Sequence, residues 1–192
     1  MQFFYNHKVK NIDMDLFQKN KDTVITILND IFIFKNIPPL GNNDLVIHIR
    51  SGDIFRGTGA HIGYLSPPLS YFKNIIEQNN YDNIYLVAED TVNPCINRLL
   101  ELYPRIIFKI QTLEQDIKLI LAATNIVISI GTFIPELLNL SNNIKNIYRP
   151  SYVYCNKPDC KIHITDLNEY KKSMLPWKNT PKQHEIMVNY NC

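Results

Sequence analysis

Features that would mark several other classes of protein are absent from this sequence. No apolar run reaches the roughly 20 residues that a membrane-spanning helix needs. The two most apolar stretches, 23–34 and 117–130, are too short or are interrupted by polar residues. The first eight residues, MQFFYNHK, lack the apolar core of a signal peptide. These absences predict a soluble, cytoplasmic protein without a membrane span.

Charge is sparse and balanced. Charged residues make up 20% of the 192 residues, the formal net charge is +2, and no long run carries one sign. Proteins that bind nucleic acid neutralise phosphates with a basic surface, so nucleic acid is not an expected partner. The four cysteines form no CxxC pair, which predicts a reducing compartment. The sequence leaves open a Cys155–Cys160 disulfide, or a zinc site made of these two cysteines with His163.

What the sequence does contain is a regular alternation of short apolar strands and helices. Such alternation predicts βαβ units, and hence an α/β fold with a Rossmann-like parallel sheet and helices on both faces. The predicted strands are 45–49, 83–88, 105–110, 125–130 and 144–149, and the helices between them begin near Pro68, Asn93, Thr112 and Thr132. Asn93 followed by Pro94 predicts a capped helix start, and the run Thr112–Gln115 predicts a capping box.

Three regions follow from this pattern. Apolar positions at helical spacing predict a helix over 13–34, so residues 1–43 form an N-terminal helical segment. Residues 44–150 form a Rossmann-like domain. Residues 151–192 show no clear period, and we expect them to pack on the domain as a C-terminal strap.

Polar residues gather where the predicted strands end. In an open α/β sheet, ligands bind outside the carboxyl ends of the strands, so these positions define the candidate site. They are His48, Arg50, Ser51, Gly52 and Asp53 after the first strand, Glu89 and Asp90 after the second, Gln111 after the third, and Ser129, Gly131 and Thr132 after the fourth.

The segment His48–Asp53 is the sharpest of these groups. Alternation along a strand places His48 and Arg50 on the same face. A guanidinium can hold a diphosphate through two hydrogen bonds, and Gly52 lets a phosphate approach the backbone. The alternative is a structural salt bridge between Arg50 and Asp53, with His48 a buried histidine of the core.

The other candidates have equally plain alternatives. The turn Ser129–Phe133 offers N–H groups to a phosphate, or is an ordinary helix start. Glu89 and Asp90 bind ribose hydroxyls, act as a base, or cap a helix. Asp116 lies within a predicted helix, where a solvated carboxylate is the default.

The segment His48–Asp53, followed by Phe55, resembles the HxRxGD motif of the GDP-fucose-dependent fucosyltransferases, the superfamily of α1,2-, α1,6- and protein O-fucosyltransferases. A second segment is also similar to that superfamily, because Asp116 precedes Thr132-Phe133 by sixteen positions. Order and spacing together make the resemblance specific over residues 44–149.

The resemblance implies that residues 44–150 are a nucleotide-sugar-binding domain, the donor half of a GT-B glycosyltransferase. Such an enzyme transfers a sugar from a GDP-sugar to a hydroxyl acceptor such as a glycan. The transfer inverts the anomeric carbon and uses no metal and no cofactor. It implies that Arg50 binds the β-phosphate and stabilises the leaving GDP, that His48 lines the nucleotide pocket, and that Asp116 accepts hydrogen bonds from guanine. The remaining donor-binding residues are Gly52, Glu89, Ser129, Gly131, Thr132 and Phe133, the last two closing over the phosphates and the base or ribose. Arg50 and Asp53 are the catalytic candidates, and Glu89 and Asp90 are further candidates for the base.

Two alternatives stay open. In the first, the chain is a nucleotide-sugar-binding module without catalysis, or the donor-binding subunit of an enzyme whose acceptor domain is a separate chain. The expected partners then include that acceptor domain or, as a homo-oligomer, further copies of the chain. In the second, the protein is an unrelated hydrolase that uses His48 and an acidic partner, although the sequence has no nucleophile elbow or metal cluster.

Overall fold

The computed structural model describes residues 37–57 and 62–192. The helix predicted over 13–34, and most of the N-terminal segment 1–43, lie outside these residues. The strands are β1 Leu45–His48, β2 Ile84–Val87, β3 Ile106–Phe108, β4 Asn125–Val127, β5 Asn146–Pro150 and β6 Lys161–Thr165. The helices are α1 Leu69–Glu77, α2 Pro94–Leu102, α3 Leu113–Ala122, α4 Phe133–Leu138, α5 Asn168–Met174 and α6 Pro181–Asn189, and a 3-10 turn at Gly52–Phe55 follows β1.

All six strands run parallel in one sheet, in the order β3-β2-β1-β4-β5-β6. β1 lies near the centre, where Ile47 pairs with Leu86 of β2 on one side and with Val127 of β4 on the other. Parallel neighbours need crossover connections, and helices supply them from β1 to β5. The predicted Rossmann-like α/β fold is therefore confirmed.

Alternation along β1 divides the hydrophobic core between the two faces of the sheet. Leu45 and Ile47 belong to the core cluster to which α1, α2 and α6 contribute. Val46 points to the opposite face, where α3 contacts β1 and buries Ile117 and Ile120. Helices therefore cover both faces, and the central strands are buried on both sides.

The local capping signals are also confirmed. The side chain of Asn93 accepts a hydrogen bond from the N–H of Cys95 at 3.0 Å, with Pro94 in the first turn of α2. At the start of α3, Gln115 N–H donates to Thr112 Oγ1 at 3.3 Å and Thr112 N–H donates to Gln115 Oε1 at 3.1 Å. These bonds satisfy backbone groups that a helix start leaves unpaired.

The C-terminal segment differs from the predicted strap, because part of it enters the sheet. β6 pairs with β5 along its whole length, and α5 and α6 follow it. β6 is an edge strand, and Ile164 on it is 57% exposed. Because such a strand need not be apolar throughout, its sequence lacks the apolar run that marked the other strands. Tyr170, Trp177 and Met187 are nonetheless fully buried in the main core cluster.

The same segment fastens the loop that follows β1. Trp177 donates from its indole Nε1 to the carbonyl of Ile54 at 3.0 Å and from its backbone N–H to the carbonyl of Ile62 at 2.9 Å. Asn179 Nδ2 donates to the carbonyl of Gly57 at 3.1 Å. The C-terminal segment thus holds both sides of this loop. Among the described residues, no helix has the length and apolar character that crossing a membrane requires.

If the C-terminal segment is part of the core, Met187→Ala should lower the free energy of unfolding by about 2–5 kcal/mol, because it empties a buried site. Ile164→Ala in the same segment removes an exposed side chain and should change the free energy of unfolding by less than about 0.5 kcal/mol. Equilibrium urea unfolding measures the free energy of unfolding of both variants. An equally small change for Met187→Ala would contradict the integration of this segment into the fold.

Candidate functional site

The strand order reverses at β1, because the chain builds outward to β2 and β3 on one side and then returns to place β4 on the other. The loops that leave β1 and β4 diverge at such a point, and ligands of open α/β folds bind in the crevice between them. The candidate residues lie at this crevice.

An open cleft of about 570 Å³ occupies this position. It brings together six of the residues predicted from the sequence, namely His48, Arg50, Ser51, Glu89, Asp116 and Phe133. The other lining residues are Ile49, Val87, Ala88, Leu113, Ile120 and Ile134. Side chains from β1, the end of β2, α3 and α4 therefore converge on one space.

The remaining predicted residues lie beside the cleft. Gly52 and Asp53 line an adjoining groove of about 950 Å³, together with Arg56, Glu89 and Asp90. Of the residues that the structure describes, Glu89 alone lines both spaces. Ser129, Gly131 and Thr132 are not among the lining residues of either space.

A network of buried hydrogen bonds holds the loop after β1 in place. Asn93 is fully buried, and its Nδ2 donates to the carbonyl of Arg50 at 3.0 Å and to Ser66 Oγ at 3.1 Å. Its backbone N–H donates to Ser51 Oγ at 3.1 Å. On the other side, the N–H of Arg50 donates to Ser129 Oγ at 2.8 Å. Ser129 therefore positions Arg50 rather than lining the cleft.

Asp90 completes this network. It accepts hydrogen bonds from Ser51 Oγ, from the N–H groups of Gly52 and Val92 at 3.2 and 3.1 Å, and from Arg56 Nη2. Burial raises the pKa of Asp90, but the hydrogen bonds from Ser51, Val92 and Gly52 and the charge of Arg56 outweigh burial and bring the pKa below its usual value. Asp90 is a structural carboxylate whose hydrogen-bonding capacity is used within the protein.

Arg50 forms the ion pair with Asp53 that the sequence offered as its structural alternative. Its Nη2 donates to both carboxylate oxygens, at 2.8 and 2.9 Å, and its side chain is 34% exposed. The guanidinium lies 6.0 Å from the centre of the Tyr64 ring. Asp53 occupies one nitrogen of the guanidinium. Nε and Nη1 make no hydrogen bond with any described residue, so this edge of the fork can face a ligand.

His48 is held as a neutral imidazole. Burial first, and then the charge of Arg50, lower the pKa of His48 to about 3. Its Nδ1 lies 3.5 Å from Ser129 Oγ, which is a long contact. Near neutral pH the ring therefore carries one acceptor nitrogen and one donor nitrogen instead of a positive charge.

Asp116 lies in the first turn of α3 and faces the cleft. Gln111 Nε2 donates to its Oδ1 at 3.1 Å. Burial raises the pKa of Asp116, and the hydrogen bond from Gln111 only partly opposes this effect. Its second oxygen, Oδ2, makes no hydrogen bond with the described residues, so it can accept one from a ligand.

Two apolar side chains frame the mouth of the cleft. Phe133 at the start of α4 is 43% exposed, and Leu113 at the start of α3 is 64% exposed. Gly131, with φ of 120°, turns the chain from β4 toward α4, and the exposed Thr132 makes no capping hydrogen bond through its side chain. The ring of Phe133 offers a surface on which a planar ligand can stack.

The alternative uses of the C-terminal cysteines are not realised. All four cysteines are free thiols, so Cys155 and Cys160 are not joined. His163 stacks on Tyr148 with ring centres 4.4 Å apart, and Cys160 Sγ donates to the carbonyl of Ile144 at 3.0 Å. Within 37–57 and 62–192, no three histidine, cysteine, aspartate or glutamate side chains are grouped so that they could hold a metal ion.

Asn93 is the important residue of the site that sequence reasoning missed. Asn93 was identifiable as a helix cap, but its bridge to the carbonyl of Arg50 spans 43 positions and has no local signal. No protein-family model matches the chain, and no curated protein matches it either.

If the Asn93 network fixes the loop, Asn93→Ala should destabilise the protein by about 2–4 kcal/mol, because it removes a helix cap and leaves buried polar groups unpaired. Asn97→Ala is the matched control on the same helix, since Asn97 is exposed and bonds only the carbonyl of Thr91. In urea unfolding, we expect the free energy of unfolding of this control to lie within about 0.5 kcal/mol of the wild type. Similar values for the two variants would show that the network does not stabilise the protein.

Proposed function

We propose that this protein is a glycosyltransferase, similar to the fucosyltransferases, that transfers a sugar from a GDP-sugar to a hydroxyl acceptor with inversion and without a metal ion. The observation that carries the proposal is the convergence of Arg50, Asp116 and Phe133 on one cleft. These residues come from three separate segments of the chain. Arg50 belongs to the segment that resembles the HxRxGD motif, and Asp116 and Phe133 belong to the second segment that suggested the family.

Each part of the donor meets a suitable group in this arrangement. The free edge of the Arg50 guanidinium can bind a phosphate through two charge-assisted hydrogen bonds. Asp116 supplies a carboxylate oxygen that can accept the N–H groups on the edge of guanine, and Phe133 supplies an apolar face for the base or ribose. His48, neutral at physiological pH, can contribute a hydrogen bond without adding charge.

The chemistry also fits an arginine at the diphosphate. Breaking the bond between a sugar and a diphosphate develops negative charge on the departing oxygen, and a fixed cationic donor lowers the barrier to that step. In the proposed mechanism, Arg50 supplies this charge.

A second candidate is a nucleotide-sugar-binding module without transfer activity. The Arg50–Asp53 ion pair favours it, because Asp53 already offsets much of the charge that would stabilise a leaving group. GDP binding with no consumption of a GDP-sugar by the purified chain would select this second function.

Base selectivity tests the role of Asp116. GDP should raise the melting temperature and UDP should not, because ligand binding stabilises only the state that binds. Asp116→Asn should weaken GDP binding by about 1–3 kcal/mol through the loss of a charge-assisted hydrogen bond. Glu114→Gln is the control, since Glu114 is exposed on the same helix and pairs with Lys118. Equal stabilisation by GDP and UDP would contradict the assignment of Asp116 to the guanine edge. The same thermal-shift assays, repeated in excess chelator, test whether GDP binding is independent of metal.

Arg50→Lys tests the catalytic part of the proposal. Lysine keeps the charge but loses the planar fork, so turnover of GDP-fucose should fall by about 100- to 1000-fold. GDP affinity should fall much less, because the charge develops in the transition state.

Arg98→Lys is the matched control for this variant. Arg98 also pairs with a carboxylate three positions on, Glu101, but far along α2 from the cleft. Both variants should melt close to the wild type. A far lower melting temperature for Arg50→Lys alone would mean that its ion pair with Asp53 is structural, and wild-type turnover would exclude Arg50 from catalysis.

A further inference from the structure

Within the described part of the chain, four carboxylates lie at the edge of the sheet where the cleft opens, and three of them are engaged. Asp90 accepts four hydrogen bonds. Both oxygens of Asp53 accept from the guanidinium of Arg50. Asp116 accepts from Gln111 and faces only the cleft. Each of these groups has a task other than moving a proton to or from an acceptor.

Glu89 is the fourth, and its position is different. It follows β2, its side chain is exposed, and it makes no hydrogen bond or ion pair with any described residue. It is also the residue that lines both the cleft and the adjoining groove. A carboxylate at this boundary can contact a ligand in either space.

The carboxylate of Glu89 lies against the backbone of Gly52. A Cβ built on Gly52 would overlap Oε1 of Glu89. Glu89 therefore extends toward the loop that carries Arg50. The φ of 62° at Gly52 is left-handed, so the turn itself favours glycine at this position.

We propose that Glu89 is the general base of the transfer and that the groove beside it holds the acceptor, a molecule rich in hydroxyl groups. This inference rests on the proposed glycosyltransferase function and adds the group that activates the acceptor. The groove suits such a molecule because the unengaged carboxylate of Glu89 and the exposed carboxylate of Asp53 offer oxygen acceptors, and Arg56 offers donors. Hydroxyl groups can use both.

The step balances without any further reactant. The acceptor oxygen forms a bond to the anomeric carbon as its proton passes to the carboxylate of Glu89. The bond between the anomeric carbon and the β-phosphate oxygen breaks, and its electron pair leaves with GDP beside Arg50. Attack from the groove on a donor bound in the cleft inverts the anomeric carbon. Glu89 then releases the proton to solvent.

Chemical rescue tests this role, because azide would not restore GDP release to a variant whose defect is only structural. GDP release from GDP-fucose, with water as the acceptor, should slow about 100-fold or more in Glu89→Ala, a typical loss for a general base. GDP affinity should stay near that of the wild type. Sodium azide needs no deprotonation, so it should restore GDP release at least tenfold and form fucosyl azide. Glu101→Gln, an exposed control on α2, should behave as the wild type.

The outcomes separate this inference from the proposed function. Turnover of Glu89→Ala at the wild-type rate, or slow turnover that azide does not restore, would overturn the assignment of the base and leave the transferase intact. A wild type that GDP does not stabilise would overturn the proposed function and the base together. A wild type that binds GDP but never releases it from GDP-fucose, with water or azide, would leave a binding module and also overturn the base. Arg50→Lys should not respond to azide, because its defect lies at the leaving group.

Discussion

The shape of the candidate site depends on the buried hydrogen bonds between the loop after β1 and the connection from β2 to α2. Asn93 holds the carbonyl of Arg50 and the side chain of Ser51, and Asp90 holds Ser51 and the N–H of Gly52. In a buried environment such bonds are electrostatically strong, and an unpaired partner is costly. The loop therefore has one low-energy arrangement, and the positions of Arg50 and Glu89 relative to the cleft follow from it.

This arrangement assigns different tasks to residues that are neighbours in sequence. Ser51 and Gly52 satisfy Asp90, while Arg50 and Asp53 pair with each other outside the buried network. Because the backbone is anchored independently, the Arg50 side chain can exchange its partner without unfolding the loop. An anionic ligand that competes with Asp53 would meet a guanidinium already close to its binding position, and this pre-organisation lowers the cost of binding.

The features that sequence reasoning predicted are those with a local cause. Buried strands between helices show as apolar runs, and the caps at Asn93 and Thr112 show as residue types in fixed order. The parallel sheet then brings the strand ends together, which is why His48, Arg50 and Glu89 could be grouped from topology alone. Asp116 and Phe133, which line the same cleft, were singled out only through the family resemblance.

The features that escaped prediction depend on distant contacts. β6 is a half-exposed edge strand whose pattern is indistinct until β5 is placed beside it. The sequence could not decide between a salt bridge and a diphosphate as the partner of Arg50, because both use the same guanidinium. Nor could it show that Ser129 supports the backbone of Arg50 across 79 positions. Such contacts exist only once the sheet has formed.

The attachment of Trp177 to Ile54 and Ile62 has a consequence for how the protein is made. These contacts join residues more than a hundred positions apart, so the loop after β1 cannot be locked until the chain has left the ribosome at least as far as Trp177. Contacts of such long range form late, since the entropy of closing the intervening chain must first be overcome. During synthesis the sheet can assemble strand by strand, whereas the loop after β1 acquires its final shape only when the segment that carries Trp177 docks.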